Sequence, residues 1–288
     1  MVLLVGRVDS FCMRNRAFLL VVWLLTSAAL GQAFAWGPHD TGGSKPSDNA
    51  VMVYPPAPLV PASVSLPRMA PELALQVYHG RTRIQAIQLA SYSAVTVIHA
   101  ELPDSSQQGE YELQRYFSAP HDLHFTALHY KGDGFVKSNV ITRLLQSEVD
   151  HIKQEDTGLT AISAKNYKFS YKGTAEISNR LVHVFQVKPR RKRPGLFKGR
   201  VCLDVFTGSL VRAEGGVVKS PSFFVKKIEF VQDYADYGSF TFPVHIHSEA
   251  QARVIGRTVI DIYHQDYQPV VVGVQARQAS SHVLIPAE

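Results

Sequence analysis

Apolar and polar residues alternate strongly in the second half of the chain, between Leu196 and Tyr267. Two stretches keep a period of two residues, which is typical of strands with one buried face. Their apolar members are Phe197, Val201, Leu203 and Val205, and then Phe240, Phe242, Val244 and Ile246. Turn signals follow at Thr207-Gly208, Gly215-Gly216, Tyr237-Gly238 and Ile255-Gly256. This spacing predicts consecutive antiparallel hairpins.

Two helices and further strands are predicted in the first half. The spacing of Leu73, Val77, Ile84 and Ile87 predicts a helix from Glu72 to about Leu89, interrupted or bent near Gly80. Strand-like stretches follow at 91–102, 109–119, 123–130, 166–173 and 180–189. Between them, a helical period predicts a central helix over residues 135–152, with Asp133 as its cap. Its apolar members are Val136, Val140, Leu144, Leu145, Val149 and Ile152.

The predicted fold class is α+β. We expect a long, curved antiparallel sheet of about eight to ten strands, because a sheet of that size normally curls. An unclosed β-barrel wrapped around one or two helices would bury the apolar faces of both. Residues 71–268 are predicted to form this one domain, and residues 269–288 a tail or an edge strand.

The first 35 residues have the pattern of a secretory signal. Arg7, Arg14 and Arg16 precede an apolar run from Ala17 to Leu30, and Ala35 ends a small-residue cleavage site. The run is shorter than the roughly 20 residues that a membrane span needs, so cleavage is favoured over a retained anchor. Translation from Met13 is an alternative to Met1. Residues 36–70 are rich in proline and predict an unstructured linker. The mature protein is therefore expected to be periplasmic or secreted.

The net charge, the cysteine content and the absence of known catalytic motifs restrict the functions that the chain can have. The net charge of +6 is too small to argue for nucleic acid. With the signal removed, Cys202 is the one remaining thiol, and we expect it to be a small strand residue rather than a reactive group. The motifs of serine hydrolases, zinc proteases, P-loop proteins and dinucleotide-binding proteins are all absent from the sequence. We therefore predict a protein that is not an enzyme and uses no cofactor.

The order of elements resembles that of the LolA/LolB/RseB-like superfamily of periplasmic proteins. The similarity covers roughly residues 71–267, and its most similar phrases are GRVCLDVFTGSLVRAEG, VKKIEFVQDY and SFTFPVHIH. The resemblance implies an unclosed β-barrel with helices, and binding of acyl chains or lipoproteins in an apolar cavity or regulatory sensing of them. No cysteine follows the apolar run, so the chain resembles the soluble carriers more than the lipid-anchored acceptors.

The apolar sheet face is the first candidate site, as a pocket for acyl chains. The alternative is a plain core packed under the helix, which periodicity does not distinguish from a pocket. The predicted lining consists of Val201, Leu203, Val205, Phe240, Phe242, Val244, Ile246, Ile260 and Ile262.

A basic stretch at residues 188–200 is the second candidate site. Basic residues around an apolar pair suit contact with an anionic bilayer or a partner protein. The alternative is a solvated loop in which the apolar pair begins the next strand. The predicted contact residues are Arg190, Arg191, Lys192, Arg193, Leu196 and Phe197.

His245, His247 and Glu249 fall on one face of a predicted strand and could share a metal ion, with His264 on a neighbouring strand. With 12 histidines in the chain, outward polar positions are the favoured interpretation, and no metal site is predicted.

These features predict a non-catalytic carrier of lipid or of lipoprotein acyl chains, with the central helix as a lid. The alternative is a protein–protein or stress-sensing module of the envelope that uses a strand edge or the proline-rich arm.

Overall fold

The computed structural model describes residues 67–153, 157–219, 225–253 and 256–272. Ten strands, β1 to β10 in chain order, lie at Leu89–Leu102, Gln107–Ser118, Asp122–Gly132, Tyr167–Ile177, Arg180–Pro189, Phe197–Asp204, Leu210–Val217, Val225–Tyr237, Phe240–Ala252 and Gly256–Val271. Helix α1 spans Pro71–Gln88, and α2 (Gly134–Val136), a π-helical turn (Lys137–Ile141) and α3 (Thr142–Lys153) follow one another as the central helix. Short 3-10 turns lie at Pro103–Ser105 and Thr157–Leu159.

The ten strands form one antiparallel sheet in the order β3-β2-β1-β10-β9-β8-β7-β6-β5-β4. The sheet does not close, and β3 and β4 are its two edges. Strands β1 to β3 and β4 to β10 each follow one another as hairpins, and the pairing of β1 with β10 joins the two sets. This architecture confirms the predicted α+β class and the long antiparallel sheet.

Both helical stretches pack on the same face of the sheet. The central helix contacts Ile260, and Tyr78 of α1 belongs to the same core cluster as Phe230. Phe230 is in register with Ser248, and Ser248 with Ile260, so the three side chains share a face. We call this helix-covered side the inner face and the opposite side the outer face.

Helix α1 differs from its prediction in two ways. It runs without interruption past Gly80. Its apolar stripe is largely exposed, because the buried positions are Ala74, Tyr78 and Gln85. Long-range polar contacts set this orientation: the Gln85 side-chain amide donates to the Thr241 carbonyl and accepts from the Thr241 amide, at 3.1 and 2.9 Å. The exposed stripe consists of Leu73, Ile84 and Ile87, which are 43–48% exposed.

The Gly215-Gly216 pair is not a turn, as the sequence suggested, but lies inside β7. Gly215 is directly opposite Gly199 of β6. A Cβ atom on Gly215 would lie 2.4 Å from the Lys198 carbonyl oxygen, so the two backbones approach too closely for a side chain. The pair therefore marks a close backbone contact between neighbouring strands.

The β6–β7 connection holds α1 against the sheet. Asp204 Oδ1 accepts hydrogen bonds from the amides of Phe206 and Thr207, both at 2.9 Å. Gly208 follows with a φ of +65°, and a Cβ atom there would lie 2.8 Å from Val77 of α1. The turn thus requires glycine for its conformation and for the contact with the helix.

The central helix lies where the sequence placed it, but its start differs from the prediction. Asp133 does not cap the helix with its side chain. Its Oδ2 instead accepts the Gln108 amide at 2.9 Å, which ties the start of the helix to β2. The predicted signal, most of the predicted linker and residues 273–288 of the tail lie outside the described residues.

Candidate functional site

Eight of the nine residues predicted to line an apolar pocket are buried, but seven of them are divided among three separate core clusters. Val201 and Leu203 pack with Tyr78 of α1, Phe240 and Phe242 pack with Tyr267, and Ile246, Ile260 and Ile262 pack under the central helix. Val205 is fully buried after the end of β6. Val244 is only half-buried, because the pairing of β8 with β9 is irregular there and leaves Val244 without a partner.

The central helix covers the part of the inner face formed by β1, β2, β9 and β10. Its residues Val136, Val140, Ile141 and Leu144 are at most 5% exposed. The sheet residues of the same cluster are Ile98, Ala100, Leu102, Leu113, Ile246, Ile260 and Ile262. A chain-like ligand could reach these side chains only if the helix moved away from them.

A buried ion pair fastens the helix to this apolar surface. Arg115 of β2 and Glu148 of α3 are 4% and 7% exposed, and Arg115 Nη2 donates to Glu148 Oε1. Arg115 Nε also donates to the Tyr92 hydroxyl at 3.0 Å. The guanidinium lies 5.8 and 5.6 Å from the ring centroids of Tyr92 and Phe125. Burial is the largest single influence and opposes the charge of Arg115. The Glu148 carboxylate, with Tyr92 and Tyr267, outweighs burial, and the pKa of Arg115 lies above its ordinary value.

His264 lies in the same buried region, near Arg115. Its Nδ1 is 2.9 Å from Thr96 Oγ1. Burial, with the positive charge of Arg115 as a second cause, lowers the pKa of His264 well below its usual value. His264 is therefore neutral at neutral pH. It points to the inner face and is not a neighbour of His245 and His247.

Aromatic side chains form the wall next to Arg115. The Tyr92 ring is 5.2 Å from Phe117, 5.1 Å from Phe242 and 5.5 Å from Tyr267, measured between centroids. The Tyr267 hydroxyl donates to the Pro243 carbonyl at 2.9 Å. Burial raises the pKa values of Tyr92 and Tyr267, so both phenols remain protonated. The site thus combines apolar and aromatic walls with one internal cation.

Sequence reasoning missed the Arg115–Glu148 pair, although a signal was present. Arg115 occupies an inward position between Leu113 and Phe117, where alternation calls for an apolar residue. Glu148 occupies the apolar stripe of the helix, four residues after Leu144. Two opposite charges on two buried stripes predict a buried pair once both elements are known to face each other.

The basic stretch differs from the arrangement that membrane contact requires. Arg190, Arg191 and Lys192 are exposed and Arg193 is half-buried. Leu196 and Phe197 are only 1% and 2% exposed, because they pack in the core cluster under α1. The apolar pair therefore begins the next strand and is not available at the surface.

His245 and His247 lie on the outer face. Their Nε2 and Nδ1 atoms are 3.0 and 2.9 Å from the same oxygen, Asp261 Oδ1. Glu249 accepts from Arg257, which lowers the pKa of this carboxyl group, and its Oε1 lies 3.5 Å from His247 Nε2. Across the described residues, no group of three or more His, Cys, Asp or Glu side chains is placed to hold a metal ion.

A small polar cavity of about 180 Å³ lies across β1, β2 and the end of β3. His99, Glu110 and Lys131 are among its lining residues, and His99 Nδ1 is 3.3 Å from Glu110 Oε2. Its lining is polar, in contrast to the predicted apolar pocket. Among the described helices, none is both long and apolar enough to cross a membrane.

No protein-family model matches this chain, and neither does any curated protein. Solved structures are similar to it at low sequence identity. A domain of an outer membrane lipoprotein-sorting protein from Vibrio parahaemolyticus is 11% identical over 73% of this chain and 97% of its own length, with a TM-score of 0.37.

Two further solved structures are also similar to this chain. A LolA superfamily protein from Nitrosomonas europaea is 9% identical over 68% of this chain and 92% of its own length, with a TM-score of 0.34. The MucB structure is 13% identical over 73% of this chain and 97% of its own, with a TM-score of 0.25. The similar structures include proteins of the superfamily that the sequence resembles.

Proposed function

We propose that this protein is a non-catalytic binding protein of the cell envelope, which holds the acyl chain of a lipid or lipoprotein between the central helix and the inner face. The observation that carries the proposal is the Arg115–Glu148 ion pair, which is buried between an apolar helix and an apolar sheet. The signal sequence predicted for residues 1–35 supports a periplasmic or secreted location.

An ion pair is a costly way to attach a helix. Removing two charges from water costs several kcal/mol per ion, and well-packed apolar residues often stabilise a fold as much or more. The surrounding cluster already supplies apolar contacts through Val140 and Leu144. A polar contact at this place is useful if the helix must leave the sheet and return, because separated charges are readily hydrated.

Displacement of the helix would open a site with two chemical parts. The aliphatic residues under the helix would contact the acyl chain, with a gain of about 25 cal/mol per Å² of apolar surface buried. Arg115 would then lack its carboxylate partner. An anionic group at the end of the ligand would take the place of Glu148, because an unpaired buried charge is unfavourable.

A fluorescent fatty acid, 11-(dansylamino)undecanoic acid, tests the proposal in a titration with the purified protein. We expect saturable binding with a blue-shifted emission. Glu148→Gln should tighten binding at least fivefold, because it frees Arg115 and weakens the attachment of the helix. Arg115→Met should weaken binding relative to Glu148→Gln, because the carboxylate of the probe loses its partner.

Glu214→Gln is the matched control, because Glu214 pairs with the exposed Arg200 on the outer face. It should leave binding unchanged. Native mass spectrometry of the protein purified from cells should in addition show copurified lipid. Absence of saturable binding to both the parent and the Glu148→Gln variant would refute the proposal.

A further inference from the structure

One corner of the sheet carries a large excess of positive charge. Residues 157–199 contain ten lysines and arginines and a single acidic residue, Glu176. Arg180 is neutralised by Asp204. We call the remaining nine the basic corner: Lys165, Lys168, Lys172, Lys188, Arg190, Arg191, Lys192, Arg193 and Lys198. All except the half-buried Arg193 are exposed.

The charge of the basic corner is uncompensated within the part of the chain that the structure describes, where none of its nine members forms an ion pair. Lys168 of β4 is directly opposite Lys188 of β5 in the register. Like charges at opposite positions destabilise a sheet. Glu229 and Glu249 are also opposite each other on the outer face, but each of these carboxylates has its own cation, Lys227 and Arg257. Among the described residues, Lys168 and Lys188 have no such compensation.

The basic corner lies along a free strand edge. Strand β4 is the last strand of the sheet and pairs only with β5. From Tyr167 to Tyr171 the pairing with β5 is regular, and after Tyr171 the register shifts, so that Lys172 has no partner. The Tyr167 amide already donates to the Ser163 carbonyl at 2.9 Å. From Lys168 to Tyr171, the other edge of β4 exposes backbone donors and acceptors to which an eleventh strand could pair.

We propose that an extended, acidic segment of a partner protein adds to β4 alongside Lys168–Tyr171, with its carboxylates on the basic corner. Backbone hydrogen bonds would supply a sequence-independent part of the affinity, and the charges would select the partner. Lysines on an edge strand repel the same edge of a second copy. The edge would therefore exclude self-association while it accepts an acidic strand.

A protein segment fits this surface better than an anionic bilayer. Bilayer contact gains from apolar side chains that enter the headgroup region, and Leu196 and Phe197 are buried in the core. The charges instead follow β4, at Lys168 and Lys172, and continue just before it at Lys165. A carboxylate at every second residue of an added strand would place all its charges on one face, beside the Lys168 and Lys188 pair.

The probe is a fluorescein-labelled nonapeptide of alternating Glu and Val, and fluorescence anisotropy with the full chain measures its binding. We expect binding that weakens with salt and is lost when the glutamates are replaced by lysines. The triple variant Lys168→Gln, Lys188→Gln, Arg191→Gln should raise the Kd at least tenfold. The matched control removes three exposed charges elsewhere, with Arg83→Gln, Lys131→Gln and Lys153→Gln, and should keep the Kd within about twofold.

A second form of the peptide, N-methylated at alternate residues, keeps the charge but cannot pair as a strand. On the parent protein it should bind at least tenfold more weakly. Only the unmodified peptide should protect from hydrogen exchange those amides of residues 168–171 that face the free edge of β4. Equal binding of both peptides would overturn strand addition. Binding to phosphatidylglycerol vesicles but not to the peptide would overturn the proposal in favour of membrane contact. Because the fatty-acid titration reports on the opposite face, both results are independent of the proposed acyl-chain site.

Discussion

Arg115 of β2 and Glu148 of α3 form an ion pair that is almost fully excluded from water. Removing one partner would leave the other buried and unpaired, so Arg115→Ala and Glu148→Ala should each lower the free energy of unfolding by about 3–5 kcal/mol. The double variant Arg115→Met, Glu148→Leu should recover most of this loss, because apolar residues of similar size fill the site. Urea unfolding followed by circular dichroism measures all three.

The exposed pair of Lys227 and Glu229 is the control, since its side chains are 68% and 59% exposed. Its removal should change the stability by less than about 1 kcal/mol. If the Arg115 and Glu148 single variants lost no more than this, the ion pair would not be what fastens the central helix.

His264 should make the stability depend on pH. Its pKa in the folded protein lies well below the usual value, because burial disfavours the charged ring. The unfolded chain therefore binds the proton more readily, and the stabilisation is complete above about pH 6.5 and is lost as the pH falls below that value. The expected slope is up to about 1.4 kcal/mol per pH unit for each such histidine. Urea unfolding between pH 5 and 7.5 measures it.

His264→Gln should make the free energy of unfolding less dependent on pH, because it removes the contribution of one histidine with a lowered pKa. His151→Gln is a useful comparison, because burial also lowers the pKa of His151. A slope that remained the same in His264→Gln would show that this ring does not titrate as its buried position requires.

Cys202 should be unreactive in the folded protein. It is 3% exposed, and burial, with Glu214 as a second cause, raises its pKa to about 11. In a Cys12→Ser background, which leaves one thiol, a maleimide at pH 8 should label the native protein more than about 100-fold more slowly than the unfolded protein. Fast labelling under native conditions would mean that β6 opens locally on the timescale of the reaction.

Gly80 should be replaceable with a gain in stability. It lies inside α1, and a Cβ atom there would meet no atom within 4 Å. Gly80→Ala should therefore raise the free energy of unfolding by about 1 kcal/mol, the difference between the two residues in a helix. Thermal unfolding measures the change.

Gly208→Ala is the opposite case, because its φ is +65° and the new Cβ would contact Val77. It should destabilise the protein by about 1–2 kcal/mol. A gain at this position, or a loss at Gly80, would contradict the described path of α1 over the β6–β7 turn.

Local patterns in the sequence were sufficient for the sheet and the central helix. Alternation at Val201 and Leu203, and helical spacing from Val136 to Leu144, depend on residues near one another in the chain. The buried face of α1 was not predictable in this way. It depends on the contact of Gln85 with Thr241, which lies 156 residues away.

The features on which the two proposals rest also depend on distant residues. Arg115 and Glu148 become partners only when the central helix covers β2. The opposition of Lys168 and Lys188 follows from a register that the hairpin sets. The Gly215-Gly216 pair shows the limit of a local rule, since glycine serves both in turns and where backbones touch.

The pairing of β1 with β10 determines when the proposed binding face can exist. Ile98 and Ile262 both underlie the central helix and are opposite each other, 164 residues apart in the chain. Contacts so distant in sequence close slowly, since a long loop must be ordered first. During synthesis from the amino terminus, strands β1–β3 cannot join strands β4–β9 until β10 (residues 256–271) has been made, because β10 lies between the two sets. The floor of the proposed ligand site is therefore the last part of the sheet to be completed, and the nascent chain lacks it until β10 has been made.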